Sequence, residues 1–378
     1  MLSKLRVQHY KSLFDTQVDL EPLTVFIGPN GSGKSNICEA LAILSDFLQR
    51  LIDTGNNAGN IKDFFAQSLQ AVSKNQPSLE SKFWQGKLDY LSFEISTFSK
   101  TENKPSVQSE NFLELSVHFD YPQQNVSIYI PGNASNGSDA YASGIRQFLV
   151  SNKYPDSPIA NALRKIGIYD FAPVNLSSNA PSNGSMKSTG QGIAYALVDI
   201  LHANRKSFDE LEDRLTRLVP NIQRIALPRA NNQTFLLELI DRYSEHHIPA
   251  SDISDGTLRI LAFLTALYQE DTPSIICFEE IENGVHPWLL HKMMELLKTV
   301  STEGITGKPV QVLITTHSPV LLNYVEPHQV RAVELDNEGK TQVHSLPTDS
   351  VRFQKALEAY DGALGELWFT NVFGGNPV

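Results

Sequence analysis

At 378 residues, with 41% hydrophobic and 19% charged residues, the chain has the composition of a globular protein with a real core, in one large domain or two or three small ones. Its formal net charge of −11 argues against broad, non-specific binding to duplex nucleic acid, and it is compatible with a protein partner. No apolar run reaches the ~18 residues of a membrane span and the N-terminus lacks a signal-peptide pattern, so no membrane is expected as a partner. The only cysteines, Cys38 and Cys277, fall in an expected helix and an expected buried strand. That is structural thiol usage, and it points to a reducing cytoplasm.

Leu2 to Gln8 alternates apolar and polar residues and predicts a first strand, and Thr16 to Leu20 predicts a second. Leu23 to Ile27 is an apolar run that reads as a buried strand. A glycine-rich turn follows, then the helical stretch Asn36 to Phe47. Gly28, Gly33, Lys34 and Ser35 fit G-x-x-x-x-G-K-[ST], the phosphate-binding loop, in the strand-to-helix setting that the motif needs. Gly31 and Gly33 allow positive φ and close backbone approach, so successive N–H groups can converge on one anion. The helix that follows points its positive dipole end at the same anion. Asn30, Gly31, Ser32, Gly33, Lys34, Ser35 and Asn36 are therefore the candidate nucleotide-binding residues. ATP is the expected ligand, with Lys34 between the β- and γ-phosphates and the Ser35 hydroxyl on Mg²⁺.

The stretch VQHYKSLFDTQVDLEPLTVFIGPNGSGKSN resembles the opening of the RecF/SMC/OLD branch of ABC-type ATPases, within the AAA family ATPases. The resemblance implies an α/β P-loop NTPase fold of the ABC-ATPase type, with a mixed central sheet, an antiparallel subsheet, a helical lobe and an inserted segment. In that branch the segment corresponding to His9–Phe14 lies beside the nucleotide. Lys11 then either touches ribose or phosphate or is a solvent-exposed turn lysine.

Further along, residues 51–90 are polar with embedded aromatics and read as an insertion. Residues 91–98, 112–119 and 126–130 alternate as half-buried strands do. Pro131 opens a flexible loop of Gly, Asn and Ser, and 139–166 has helical character. Ile168 to Leu176 is a short strand running into a loop. The family's Q-loop is expected there, yet no glutamine is in place and Asn175 is the nearest candidate. Helical spacing over 190–219 predicts a helical subdomain, followed by strands at Ile222–Ala226 and Thr234–Ile240. There is no internal repeat, and no heptad array or residual length for coiled-coil arms.

Ile253-Ser-Asp-Gly-Thr-Leu-Arg259 precedes an amphipathic helix from Leu258 to Tyr268 and resembles the ABC signature. Ser254 and Gly256 keep the hydroxyl and the glycine with which such a segment meets the γ-phosphate on the opposite subunit. The plainer alternative is a helix cap. Ser274-Ile-Ile-Cys-Phe-Glu-Glu is an apolar run ending in two acids, as a central parallel strand delivering carboxylates to a ligand crevice would be. It resembles the Walker B segment. The resemblance makes Glu279 the Mg²⁺-holding residue, in place of the usual aspartate, and Glu280 the general base for the attacking water. Ile281 departs from the proline common in this branch. Asn283 to Pro287 corresponds to the D-loop, with His286 expected to start the helix Trp288–Val300. Val310 to Thr316 is one more buried strand, and His317 after it matches the switch histidine placed against the γ-phosphate. Val330–Leu335 and Thr341–Leu346 predict a closing hairpin. The glycine-containing tail resembles endings common in the branch.

These motifs imply a single ATPase domain over residues 1–378. One lobe takes 1–50 and about 91–175, with 51–90 inserted. The helical part spans about 176–250, the signature and switch lobe 251–350, and the tail 351–378. By analogy, two subunits meet head to tail around two ATP molecules, as a homodimer or higher homo-oligomer. The first expectation for function is an OLD-like switch in bacterial anti-phage defence that controls a separate effector protein, such as a nuclease. This chain has no room for a TOPRIM nuclease of its own. The alternative is a RecF-like ATPase that binds DNA in repair or recombination, and a transporter motor fits poorly.

Overall fold

The computed structural model describes residues 1–53, 61–72, 79–87, 89–97, 113–123, 125–129, 161–178, 185–231, 234–269, 272–305 and 307–374. The expected loop after Pro131, most of the expected helix at 139–166 and parts of the 51–90 segment lie outside these residues. The chain forms two compact units, one of residues 1–166, 273–277 and 310–378, the other of 167–272 and 278–309.

In the first unit, β1 (Leu2–Tyr10) turns at Lys11 and Ser12 into β2 (Leu13–Asp19) and pairs with it antiparallel. After β3 (Leu23–Ile27), the strands β4 (Tyr90–Thr97), β5 (Leu113–Asp120) and β6 (Asn125–Tyr129) extend the β1–β2 pair. The order is β2-β1-β4-β5-β6, antiparallel throughout. Leu13, Thr16 and Val18 of β2 are buried while Asp15, Gln17 and Asp19 are exposed, the alternation of a strand with one wet face.

A second sheet has β3 in its interior, parallel to β14 (Gln311–Thr316) on one side and β15 (Val330–Leu335) on the other. The strand β16 (Thr341–Ser345) returns antiparallel to β15, and β13 (Ile275–Glu279) lies beyond β14. Every residue of β3 and β14 is buried. Strands covered on both faces are mostly apolar, and each enclosed Leu, Ile or Val contributes about 1.5–3 kcal/mol. The helix α1 (Lys34–Asp53) follows the phosphate loop and is longer than the expected Asn36–Phe47 at both ends. Ile37, Leu41, Leu44, Leu48 and Leu51 bury one face at helical spacing. Phe47 meets Phe65 of α2 (Ile61–Ala71) edge to face, with ring centroids 5.1 Å apart.

The second unit opens with β7 (Ile166–Tyr169), α3 (Pro173–Leu176), α4 (Ile193–Ala203) and α5 (Arg205–Leu218). Asn204 separates the last two, and its side chain caps α5 by accepting from Ser207 N. There follow β8 (Ile222–Ala226), β9 (Arg229–Asn231), β10 (Thr234–Phe235), β11 (Glu238–Asp241) and β12 (His247–Pro249). The single strand expected at Thr234–Ile240 is split, because β10 pairs with β9 while β11 lies between β12 and β8. Leu236 N instead donates to Pro228 O at 2.9 Å. The helix α6 (Asp255–Tyr268) is apolar on most of its circumference and buries every residue from Ile260 to Tyr268, as a helix enclosed on all sides must. After it comes α7 (Pro287–Thr302).

Gln311 is the polar rivet of the first unit. It is buried, accepts from Leu2 N at 2.8 Å, and donates to Leu2 O at 2.8 Å and Glu21 O at 3.0 Å. Gln311→Leu would keep the volume but leave those backbone groups without partners. At about 1–3 kcal/mol for each orphaned buried group, urea unfolding should show a loss of about 3 kcal/mol, well beyond that of an ordinary surface change.

Candidate functional site

The loop between β3 and α1 is gripped from three sides. A Cβ on Gly28 would lie 2.0 Å from Val333 O of β15, so the loop can leave β3 this close to its neighbour only as glycine. Gly33 has φ of +101°, and a Cβ there would lie 2.1 Å from Thr341 Oγ1. Thr341 Oγ1 in turn lies 2.7 Å from Ser12 Oγ and 2.8 Å from Ser32 O. The carbonyl can only accept and Thr341 has one hydroxyl hydrogen, so Ser12 donates to Thr341. Ser12 Oγ itself accepts from Asn36 Nδ2 at 2.8 Å. This relay joins the β1–β2 turn, the loop, the first turn of α1 and the start of β16. Thr341 N also donates to Ser12 O at 2.8 Å.

Inside the cradle, the Lys34 ammonium donates to Gly28 O and Pro29 O, each at 2.9 Å. Asn30 and Gly31 are exposed, Gly31 has φ of +77°, and Ser35 and Asn36 are half-buried. The Ser32 hydroxyl is buried and has no hydrogen-bond partner among the described residues. Buried hydroxyls are seldom left so. With Lys34 and the first N–H groups of a 20-residue helix, it makes a donor-rich cradle that fits a polyphosphate.

The loop that follows β14 lies at the same end of the sheet. Thr316 pairs in register with Ile27, so His317 follows β14 where Gly28 follows β3. His317 is half-buried. After it comes α8 (Pro319–Leu322), and the chain tail returns through α9 (Val351–Ala359) to pack α10 (Leu364–Phe369) against it. Gly365 N donates to Asn323 Oδ1 at 2.8 Å, and a Cβ on Gly365 would lie 2.2 Å from Pro319 O. The tail glycine thus has a physical task, close approach to the loop just beyond His317.

The second unit carries the adjacent acids Glu279 and Glu280 and the segment Ser254–Gly256. Glu279 ends β13 in a buried position, and Glu280 takes φ of +47°, a left-handed conformation that a residue with a Cβ rarely adopts. Asn283 holds the turn, its Nδ2 donating to Glu280 Oε2 at 2.5 Å and its N–H to Glu280 O at 3.0 Å. Ile281, the departure from the proline of the branch, is buried and lines a small cleft with Phe171, Arg259, Phe263, Phe278, Glu279 and Glu280. His286 caps α7, its Nδ1 accepting from Trp288 N at 3.2 Å. Ser254 caps α6 by accepting from Thr257 N at 3.3 Å, so the cap reading of this segment holds. The segment is also exposed at its tip, at Ser254 and Asp255. A Cβ on Gly256 would lie 2.4 Å from Gly284 O, which seats the turn of residues 254–256 directly on the backbone of the turn that follows Glu280. Asn175 stands in α3. Among the described residues no cluster of three His, Cys, Asp or Glu could hold a metal by itself.

Residues 1–130 match the family model described as an AAA ATPase domain, and residues 146–323 the one described as an AAA domain, putative AbiEii toxin, type IV toxin–antitoxin system. A crystal structure of an SMC head bound to the C-winged helix domain of ScpA is similar at 16% identity and a TM-score of 0.55, over 92% of this chain and 99% of that one. The SMC head with an extended coiled coil bound to the C-terminal domain of ScpA derived from Pyrococcus furiosus gives 15%, 0.53, 95% and 99%. The protein is an AAA-family ATPase with the mixed α/β fold of an SMC head. No curated protein matches the chain. No helix among the described residues of this ATPase is long and apolar enough to cross a membrane.

Three polar residues beside the ATPase's phosphate loop escape sequence reasoning. Thr341 is some 300 residues from the motif in sequence and carries no local signal. Ser12 and Glu39 lie within or next to recognised segments but match no fixed position. Thr341→Val keeps the shape and removes the hydroxyl that joins Ser12 to the loop. It should lower stability by about 1–3 kcal/mol. ATP binding, read by fluorescent-nucleotide titration, should weaken about fivefold; unchanged affinity would mean that the relay does not hold the cradle.

Proposed function

We propose that the protein is an ATP-driven switch that closes head to tail with a second copy around two ATP molecules and thereby controls a separate effector. The observation that carries the reading is the signature turn of Gly256 seated on the D-loop carbonyl of Gly284. Any ligand meeting Ser254 at the exposed tip of α6 is thereby coupled to the turn that carries Glu280.

In this reading Lys34 and the loop N–H groups of residues 31–36 bind the β- and γ-phosphates, with Asn30 and Lys11 at the rim. Ser35 and Glu279 are the candidate Mg²⁺ residues, and the ion would supply positive charge to the phosphate oxygens. Glu280 orients and deprotonates the attacking water, its carboxylate steadied by Asn283. His317 answers to the γ-phosphate, and Ser254 and Gly256 serve the site of the other copy. Closure follows because the contacts of the signature exist only in the paired state, so ATP favours that state by its differential affinity. The exposed run Asn283, Gly284, His286, Pro287 and Trp288 offers the face that a second copy would cover; Trp288 alone is 55% exposed.

Control of an effector in anti-phage defence is favoured by the toxin–antitoxin description of the family matched by residues 146–323. The acidic balance of the chain weighs against the second reading, a RecF-like DNA clamp. Salt-dependent binding of duplex DNA by the purified chain would favour that alternative.

Glu280→Gln should retain ATP binding, lower kcat at least about 100-fold and double the mass in light scattering when ATP and Mg²⁺ are present. Trp288 emission should shift to the blue in the same mixture. A variant that hydrolyses ATP normally, or that stays monomeric with ATP, sinks the switch. Affinity purification of the trapped form from its native host then separates the two readings: a stoichiometric effector speaks for defence, a bare dimer carrying DNA for repair.

A further inference from the structure

Beside the phosphate loop, two lysines face one carboxylate. Glu39, on α1 and five residues after Lys34, is buried, and its Oε2 accepts from Tyr10 Oη at 2.9 Å. The same oxygen is the ion-pair partner of Lys11 Nζ. Among the described residues the other oxygen, Oε1, receives no hydrogen bond. The second lysine is Lys82, at the end of a short 3-10 turn of residues 79–82. Its backbone is tied to the same place, with Lys11 N donating to Lys82 O at 3.0 Å and Phe83 bridged to Tyr10.

The Lys82 side chain is 1% exposed, and its amine has no hydrogen-bond partner among the described residues. Burial holds its pKa below the usual value; the Lys11 charge pushes the same way and Glu39 opposes both. A buried amine without a partner is costly, and a fold rarely keeps one without a use. Lys11, by contrast, sits in a left-handed turn (φ +49°) with its ammonium partly open to solvent, next to Ser12 of the phosphate-loop relay.

We propose that Lys82 is a positioning residue of the nucleotide site, which takes over Glu39 when Lys11 is drawn to the nucleotide. This rests on the reading that Lys11 meets ATP. If Lys11 left alone, Glu39 would become a buried carboxylate with no counter-ion, and that cost would be charged against binding. With Lys82 beside it, departure of Lys11 converts two cations and one anion into a matched buried pair. The repulsion between the two lysines disappears in the same step. The exchange therefore stabilises the ligand-bound arrangement and leaves the ligand-free one with the unpartnered amine.

Lys82→Met tests this, with Lys82→Arg as the variant that keeps the cation. Lys82→Met should hold or raise the melting temperature without nucleotide, because an unpaired buried amine is replaced by an apolar chain. It should weaken ATP binding about fivefold, a loss seen in Kd and KM rather than in kcat. Lys82→Arg should bind ATP within about twofold of the parent. In a Lys11→Met background, where nothing leaves Glu39 for the nucleotide, Lys82→Met should cost no further affinity. Parental affinity in Lys82→Met, an undiminished effect in the Lys11→Met background, or failure of Lys82→Arg to restore binding would each overturn the exchange. Should the parent chain itself fail to bind ATP, the nucleotide reading falls and the exchange with it. A parent that binds ATP beside an indifferent Lys82→Met removes the exchange alone.

Discussion

The close approach of strand β15 to the phosphate loop constrains the rest of the first unit. With Val333 O only 2.0 Å from where a Cβ of residue 28 would stand, the loop has no freedom to swing outward over its neighbour. It is turned instead toward the β1–β2 hairpin and the start of β16, where Ser12 and Thr341 receive it. Backbone that must wrap an anion needs its N–H groups aimed inward before the ligand arrives, since any ordering left until binding subtracts from affinity. Packing fixes the strand from which the loop departs: β3 is parallel to both neighbours and wholly buried, and Gln311 and Arg331 pin the two sheets by bonding to backbone carbonyls from buried positions. Arg331 Nε donates to Asp19 O at 2.7 Å and Nη1 to His328 O at 2.6 Å.

How much of this is legible in the sequence depends on whether the physics is local. The strands β3 and β14 are, because a strand buried on both faces is apolar at most positions, and the sequence shows that run. The phosphate loop is, because glycine spacing and a following helix specify an anion cradle within about ten residues. The helix start at Lys34 rather than Asn36 is not; that boundary is set by how Gly33 packs under Thr341. The split of Thr234–Ile240 into β10 and β11 is likewise decided by which distant strands offer partners. Thr341 acts through contacts with residues far off in sequence, the Lys82 backbone meets that of the distant Lys11, and an isolated threonine or lysine announces nothing. The tail shows the same limit. Its glycines are visible, but only the Pro319 carbonyl against Gly365 says what one of them is for.

In the second unit the physical theme is a turn held away from its resting geometry. Glu280 occupies a left-handed backbone conformation, which costs about 1 kcal/mol or more for a residue with a side chain. Asn283 offsets that by bonding both the carboxylate and the carbonyl of Glu280. Gly284 then bends with φ of +70° and presents its carbonyl to Gly256. A larger residue at 256 would push that carbonyl away and with it the turn that orients Glu280. Gly256 is thus required by packing within the chain itself.

That internal requirement gives residues 254–256 a structural role of their own. Ser254 caps α6 and Gly256 packs on the Gly284 carbonyl, so both residues have structural employment within the chain. A structural role and a ligand role are not alternatives at such a site. A helix cap leaves its hydroxyl at the mouth of the helix dipole, and an exposed cap at residues 254 and 255 leaves that mouth open to an anion. The turn that such an anion would touch is in van der Waals contact with the turn that carries the carboxylate. Packed segments of this kind do not deform gradually; they shift between a few discrete arrangements. The Gly256–Gly284 contact therefore joins the turn of Ser254 to the turn of Glu280.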